Sequence, residues 1–221
     1  MHTFDTPAPI SVALAVPAGR IQVVATNRAD TTVEVAPADP GKKRDVRIAG
    51  QITVTYADGV LRIQAPEPAN QIFGPSGEVA VTVGLPAGSH IRATTACAEF
   101  RAAGRLGDVT VDGAYRHIRI DEAATASLTA VDGDVEVRRL GGPADIRTAR
   151  GDIRITEAVR GKVVLSTRSG DIAIAAAAGV SAALDAGTGH GRISNSVRNT
   201  GEPGLDIRAT TAQGDITARS L

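Results

Sequence analysis

The chain reads Gly151-Asp152-Ile153-Arg154-Ile155 at its most regular point. Near copies of this motif occupy residues 133–137, 170–174 and 214–217. A fixed short period of this kind decides the architecture of a chain before any single segment is assigned. Because each copy alternates apolar and polar residues, as half-buried strands do, the period predicts a β-solenoid of stacked coils.

Two apolar columns set the register of these coils. The first column follows the Gly-Asp pair and consists of Phe100, Ile118, Val135, Ile153, Ile172, Ile193 and Ile216. The second precedes the first by seven to nine residues and consists of Val111, Leu128, Ile146, Leu165, Leu184 and Ile207. The spacing between successive members increases in both columns toward the C-terminus. We therefore expect residues 89–221 to form a single-strand β-helix-like solenoid of about 18–23 residues per coil.

The Gly-Asp pair predicts a corner between two strands. Glycine is expected there because the backbone needs a positive φ angle or a close approach to the neighbouring coil. The aspartate is expected to accept hydrogen bonds from local backbone N–H groups, as it does in turns. A threonine recurs three residues before most corners, where it can stack in a ladder. The last coil ends at Ala218-Arg219-Ser220-Leu221 and is expected to form an open end.

Residues 1–88 carry short alternating segments, which predict an antiparallel β-strand region continuous with the solenoid. Pro17-Ala18-Gly19 is expected to turn the chain, and Asp58-Gly59 predicts a tight hairpin. The basic run at residues 42–44 predicts a solvated loop, and the proline-rich stretch at 66–75 predicts another. No segment shows helical periodicity, so the fold class is predicted to be all-β.

The composition narrows the functional classes. The net charge is zero and aromatic residues make up 2% of the chain, which argues against nucleic acid and carbohydrate as partners. The single cysteine, Cys97, cannot form an internal disulfide and is expected to be a small buried side chain. There is no signal peptide and no apolar run long enough to span a membrane, so a cytoplasmic location is expected. A surface location would require a secretion segment removed from this sequence.

Several patterns could carry chemistry, but each has a simpler structural interpretation. The corner carboxylates could form a calcium-binding stripe, and they are Asp108, Asp134, Asp152, Asp171 and Asp215. Arg192 interrupts this stripe, and the calcium-binding nonapeptide pattern is absent. Arg150-Gly151-Asp152, the glycine-rich run 187–191 and the acidic pair Asp121-Glu122 are all explained by corners or exposed turns. The histidines show no metal-ligand spacing. The sequence therefore predicts no catalytic residue, no cofactor-binding residue, no metal ligand and no cofactor.

The chain resembles a bacterial family at the segment Val81-Thr82-Val83-Gly84-Leu85-Pro86-Ala87-Gly88, followed by the serial Gly-Asp coils. The segment 16–21 repeats the same opening of strand, proline and glycine. In these features the chain is similar to the putative-adhesin β-strand-repeat family, the domain of unknown function numbered 4097. The resemblance implies a repeat fold over the whole chain. It supplies no catalytic residues.

Three hypotheses about function follow. The first is a non-enzymatic β-solenoid that acts as a binding or scaffold module and contacts a protein partner through its outer faces. The second is a structural protein that self-associates through an uncapped solenoid end. The third is a carbohydrate-active β-helix enzyme, which would require two or three acidic residues converging in a groove.

Overall fold

The computed structural model describes residues 1–66, 77–114 and 116–221, and most of the loop expected at 66–75 lies outside them. Over the described residues the fold is nearly all-β, as predicted, and it divides into two compact units, Met1–Tyr115 and Arg116–Leu221. The described part of the chain has no helix of the length and apolarity that a membrane crossing requires.

The described residues of the first unit form seven strands and one helix: β1 (His2–Asp5), β2 (Ser11–Thr26), β3 (Asp30–Pro37), α1 (Lys43–Gln51), β4 (Thr53–Ala57), β5 (Val60–Gln64), β6 (Val79–Pro86) and β7 (His90–Ala114). The antiparallel pairs expected here are β1 with β3, β3 with β6, and β4 with β5. The predicted hairpin joins β4 to β5, with φ angles of 50° at Asp58 and 74° at Gly59. The long strand β2 differs, since it runs parallel to β5, β6 and β7.

The turn expected at Pro17-Ala18-Gly19 does not end a strand. β2 continues through these residues and stays in register with β7 on both sides of them. Gly19 has a φ angle of 128°, and a Cβ atom there would lie 1.9 Å from the carbonyl oxygen of Val79. Residues 17–19 therefore form a bend within one strand, because the neighbouring chain follows the same bend.

The basic run at residues 42–44 does not form the predicted loop, because α1 begins at Lys43. One face of this short helix is buried, with Asp45 exposed by 2% and Ile48 by 5%. The Asp45 carboxylate accepts a hydrogen bond from the backbone N–H of Glu78 at 3.0 Å. Burial of this face stabilises a helix that the basic residues alone did not indicate.

The second unit contains ten strands: β8 (Ile118–Asp132), β9 (Val135–Leu140), β10 (Ala144–Arg150), β11 (Ile153–Ala158), β12 (Gly161–Ser169), β13 (Ile172–Ala176), β14 (Ala182–His190), β15 (Ile193–Ser196), β16 (Leu205–Gln213) and β17 (Ile216–Ser220). Parallel pairing arranges them in two sheets. Sheet 1 is residues 126–132 of β8, then β10, β12, β16 and β14. Sheet 2 is residues 118–123 of β8, then β9, β11, β13, β17 and β15.

The predicted apolar columns form the core of this unit except in the edge coil, where Leu184 is half-buried and Ile193 is exposed. Residues in register in sheet 2 are exposed by at most 1%, and they are Ile118, Val135, Ile153, Ile172 and Ile216. In sheet 1 the column is fully buried and in register at Leu128, Ile146 and Leu165. The predicted column is wrong by two residues at the final coil, where Leu165 pairs with Ala209 and the buried Ile207 pairs with Val163. Burial of these columns supplies the main stabilisation of each coil, which has no core of its own until it is stacked.

The predicted order of the last two coils is wrong. The final coil does not form the open end, because β16 lies between β12 and β14 while β17 lies between β13 and β15. The open edges are therefore β14 and β15, and Ile193 on β15 is 46% exposed. The final coil is the more apolar of the two, with Leu205 and Ile216 fully buried, so its inner position buries more apolar surface.

Close stacking explains the glycine at each corner of the second unit. Gly151 has a φ angle of 132°, and a Cβ atom there would lie 2.3 Å from the carbonyl oxygen of Gly133. At Gly170 the same atom would lie 2.1 Å from the carbonyl oxygen of Gly151. Both reasons anticipated from the sequence, a positive φ and a close approach, therefore apply at once.

The threonines before the corners also bond between coils. The Thr167 hydroxyl donates to the carbonyl oxygen of Gly151 at 3.1 Å, and the Thr211 hydroxyl donates to that of Gly170 at 3.1 Å. In the first unit Thr95 is similarly buried, but its hydroxyl has no hydrogen-bond partner within the described part of the chain.

We expect Gly151→Ala to lower the free energy of unfolding by about 3 kcal/mol or more, because the methyl group meets both a positive φ and a neighbouring carbonyl oxygen. Urea denaturation followed by circular dichroism would measure this loss. The matched control is Gly187→Ala, where a Cβ atom has no neighbour within 4 Å and φ is not positive. Equal stability of the two variants would contradict the close-stacking explanation.

Candidate binding surface

The corner aspartates form a ladder of hydrogen bonds between coils. The side-chain Oδ1 of one corner aspartate accepts the backbone N–H of the next residue in the ladder. The bonds run from Asp152 to Asp134 at 2.9 Å, from Asp171 to Asp152 at 2.8 Å, from Asp215 to Asp171 at 2.7 Å and from Arg192 to Asp215 at 2.8 Å. The prediction that these carboxylates accept backbone N–H groups is confirmed, but the donors belong to the adjacent coil and are not local.

At the two ends of this ladder another residue replaces the corner aspartate. His117 occupies the aspartate position at the start, where its Nδ1 accepts the N–H of Asp134 at 3.3 Å. Arg192 occupies that position in the edge coil formed by β14 and β15. Since no further coil from the described part of the chain stacks on that edge, no N–H group there requires an acceptor at residue 192. The interruption of the carboxylate stripe thus marks the end of the stack.

The other sequence candidates are also accounted for by the fold. In Arg150-Gly151-Asp152, the Arg150 guanidinium bonds to the Asp132 carboxylate at 2.7 Å and Gly151 is the stacked corner. The glycine-rich run 187–191 lies at the end of β14 and the following corner. The described residues include no group of three or more His, Cys, Asp or Glu side chains that could hold a metal ion.

The acidic pair in β8 does not converge on a groove. Asp121 lies 3.8 Å from the Arg138 guanidinium, and Glu122 lies 4.0 Å from that of Arg139. Each acid is therefore paired with an arginine of the adjacent coil. Cys97 is only partly buried, so the expectation of a buried thiol is wrong. It lies at the bend of β7 beside Ala18, where the backbone turns between two faces.

A groove of about 680 Å³ lies on the outer face of sheet 1. We call this the outer groove, and it is lined by Ala130, Arg147, Thr148, Ala149, Ser166, Thr167, Arg168, Gly189, Thr210, Thr211 and Ala212. Small side chains predominate in the row beside Arg168, so the surface of the sheet is left uncovered there. The stacked corners beneath it hold the strands in fixed register, and the groove is consequently part of a rigid face.

The outer groove contains two kinds of polar group. The Arg147 guanidinium donates to both carboxylate oxygens of Asp145 at 2.8 Å. These hydrogen bonds, supported by the positive charge of Arg147, hold the pKa of Asp145 below its ordinary value despite partial burial. Beside them, the Thr210 hydroxyl donates to the Ser166 hydroxyl at 3.2 Å. The groove can therefore present cationic and hydroxyl donors to a ligand.

A smaller groove of about 410 Å³ lies on the first unit and is lined by Ser11, Val12, His90, Ile91, Arg92, Asp108 and Thr110. His90 accepts the backbone N–H of Asp108 through Nδ1 at 3.0 Å, which repeats the bond made by His117. This histidine thus has the same structural task as the corner aspartates. The Asp108 carboxylate also lies 3.2 Å from Nδ1 of His90.

Sequence reasoning did not identify the residues of the outer groove. Arg147, Ser166 and Thr210 each lie between an inward-facing column residue and a threonine, and the register of the strands places them side by side. The sequence signal for these residues is that each occupies an outward-facing position in its coil. This signal does not predict that Thr210 lies beside Ser166, because the two are neighbours only when the last two coils exchange their order.

These features define a class: a β-solenoid-like repeat protein whose coils are joined at Gly-Asp corners and whose outer faces are available for contact. The family profile of the Toastrack domain DUF4097 matches residues 11–219. The chain therefore belongs to this family, a domain of unknown function, as the sequence resemblance implied. No curated protein matches the chain.

Three solved structures are similar to the chain in fold. A "putative adhesin" from Parabacteroides distasonis has 14% identity and a TM-score of 0.45, and the match covers 98% of this chain and 95% of that one. A "putative adhesin" from Bacteroides fragilis has 14% identity and a TM-score of 0.41, with the same coverage. A "putative cell adhesion protein" from Clostridium sporogenes has 7% identity and a TM-score of 0.37, covering 100% of this chain and 98% of that one. Scores this low carry no argument about function.

We expect Asp152→Ala to lower the free energy of unfolding by about 1 kcal/mol, because the N–H of Asp171 loses its acceptor at the corner. Asp152→Asn keeps an acceptor oxygen at the same place and should change the stability by less than about 0.5 kcal/mol. Asp206→Ala, on β16 and outside any corner, serves as the control. Thermal or urea unfolding of the three variants measures the difference, and equal losses for all three would rule out the ladder as a source of stability.

Proposed function

We propose that this protein is a non-enzymatic binding module that uses the outer face of sheet 1 as its contact surface for a protein partner. The observation that carries the proposal is the outer groove, an uncovered area on a face whose strands are held in register by the corners. A rigid face of this kind loses little conformational freedom when a partner binds, which favours association.

The pairing of charges on sheet 1 supports a contact surface. Arg150 is paired with Asp132, and Arg208 lies 3.9 Å from the Asp185 carboxylate. These charges border the outer groove, whereas its floor carries alanine and glycine beside Arg168. A charged and polar rim around a less polar centre is the usual arrangement of a protein interface.

The chemistry of the groove favours a protein over other partners. Its lining residues include no aromatic side chain, and aromatic platforms are what sugars and single-stranded nucleic acids stack on. The balanced charge of the chain gives no long-range attraction for a polyanion. A protein surface with complementary polar groups meets both conditions.

Photo-crosslinking in the host cell tests this function. A benzophenone amino acid placed at Thr210, in the outer groove, should crosslink to one protein partner, which mass spectrometry can identify. The same residue placed at Thr217, on the outer face of sheet 2, is the matched control. The purified partner should then bind the unmodified protein and bind Thr210→Arg at least about tenfold more weakly, since the long side chain fills the groove. Crosslinks from Thr217 alone, or equal binding by Thr210→Arg, would overturn the proposal.

Self-association is a second candidate function, and one observation favours it. Ile193 continues a column whose other members in sheet 2 are buried to 1% or less, yet it is 46% exposed. Among the described residues, the strand β15 that carries it pairs on one side only, with β17. An uncovered apolar side chain on an open strand edge is a site at which a second copy can add.

We expect Ile193→Asp to abolish any concentration-dependent association, because a charge in that interface would be buried without a partner. Sedimentation velocity over a wide concentration range would show this as a single monomeric species. Thr217→Asp, on the covered strand β17, is the control and should leave the association unchanged. If the unmodified protein is monomeric throughout that range, this second function is ruled out.

A further inference from the structure

We infer that the outer groove recognises a carboxylate side chain on an extended acidic segment of the partner, with Arg168 as its anchor. This inference rests on the proposed function, because it assigns a chemical class to the partner of the same surface.

Arg168 differs from the other arginines of sheet 1. The strands β10, β12, β14 and β16 carry four arginines, and three of them face a carboxylate within 4 Å: Arg147 with Asp145, Arg150 with Asp132, and Arg208 with Asp185. Arg168 has no such ion pair with any residue that the structure describes. Its guanidinium is exposed and keeps all of its donors for a ligand.

The surroundings of Arg168 leave room for a ligand. Ala149, Ala212 and Gly189 line the groove beside it and offer no side chain long enough to cover the guanidinium. In a sheet, a long side chain flanked by such small neighbours stands clear of the surface on both sides. A carboxylate from a partner can therefore reach the N–H donors at the edge of the guanidinium and form the bidentate pair that arginine favours.

A second donor lies in the same groove. The Thr210 hydroxyl uses its proton in the bond to the Ser166 oxygen, which leaves the proton of the Ser166 hydroxyl for another acceptor. Ser166 is two residues before Arg168 on β12, and both side chains line the outer groove. A carboxylate held by Arg168 can thus receive further hydrogen bonding from this hydroxyl or from a water molecule attached to it.

The border of the groove selects for isolated acidic residues. The carboxylates of Asp132, Asp145 and Asp185 are each paired with an arginine of the same sheet, which leaves Arg168 as the unpaired cation among the four arginines of strands β10, β12, β14 and β16. Nucleic acid and anionic membranes carry continuous negative charge, which a single unpaired cation does not neutralise. A peptide with glutamates separated by small neutral residues needs only one cation when it places one carboxylate at Arg168.

Nuclear magnetic resonance titration of the full chain tests this inference. The probe is a soluble peptide of glycine and serine that carries two separated glutamates, and its control replaces both glutamates by glutamine. The glutamate peptide should shift the amide signals of Ser166, Arg168, Thr210 and Ala212, and added salt should weaken the effect. Arg168→Gln should weaken binding about tenfold, since one charge-assisted pair is lost. Arg154→Gln, an exposed arginine on sheet 2, should change it less than twofold.

The outcomes separate this inference from the proposed function. Any of four results would overturn the carboxylate assignment. These are equal shifts with the glutamine peptide, unchanged binding by Arg168→Gln, shifts that map to Arg154 instead, and no shift at a peptide concentration of about 10 mM. If a partner still crosslinks at Thr210, the binding function stands and only its chemistry is wrong. If crosslinking fails as well, the whole surface is excluded.

Discussion

The second unit depends on the hydrogen-bonded corner that repeats at Gly133, Gly151, Gly170, Gly214 and Gly191. A Cβ atom at any of these glycines would lie within 2.8 Å of a backbone carbonyl oxygen of the adjacent coil. In four of the corners, Gly133, Gly151, Gly170 and Gly214, a threonine hydroxyl from the adjacent coil donates to the carbonyl oxygen of the glycine. The aspartate then accepts the next backbone N–H, so the polar groups of a tight bend are satisfied between coils. The core columns stay in register because these corners do.

The sequence predicted the parts of this arrangement that repeat. Two apolar columns and a run of Gly-Asp pairs were enough to establish the stacked coils and the inward side chains, such as Ile153 and Ile172. The partner of each aspartate could not be predicted, because a local turn and a bond to the next coil require the same residue. The order of the last two coils could not be predicted either, since a period records how often a coil occurs and not which coil is its neighbour.

The outer groove was less predictable than the core for a related reason. Burial restricts the inward residues to apolar types, which leaves a pattern in the sequence, whereas no such restriction acts on outward residues such as Ser166 and Thr210. Arg168 could be recognised as distinctive only after Asp132, Asp145 and Asp185 had been assigned to other arginines. The exchange of the coils also decides which residues line the groove, because β16 supplies Thr210, Thr211 and Ala212 to it.

The inserted position of the final coil has a consequence for how the protein is made. Most coils bond to a neighbour 18 or 19 residues away, but Asp215 bonds to Asp171 across 44 residues. The coil at 182–196 leaves the ribosome before the coil that it packs against, so it can take its native position only after residues 205–220 have been synthesised. Closing that longer loop costs additional entropy, which slows the step. We therefore expect the second unit to fold coil by coil as far as β13 and to complete its order only when its last strands are present.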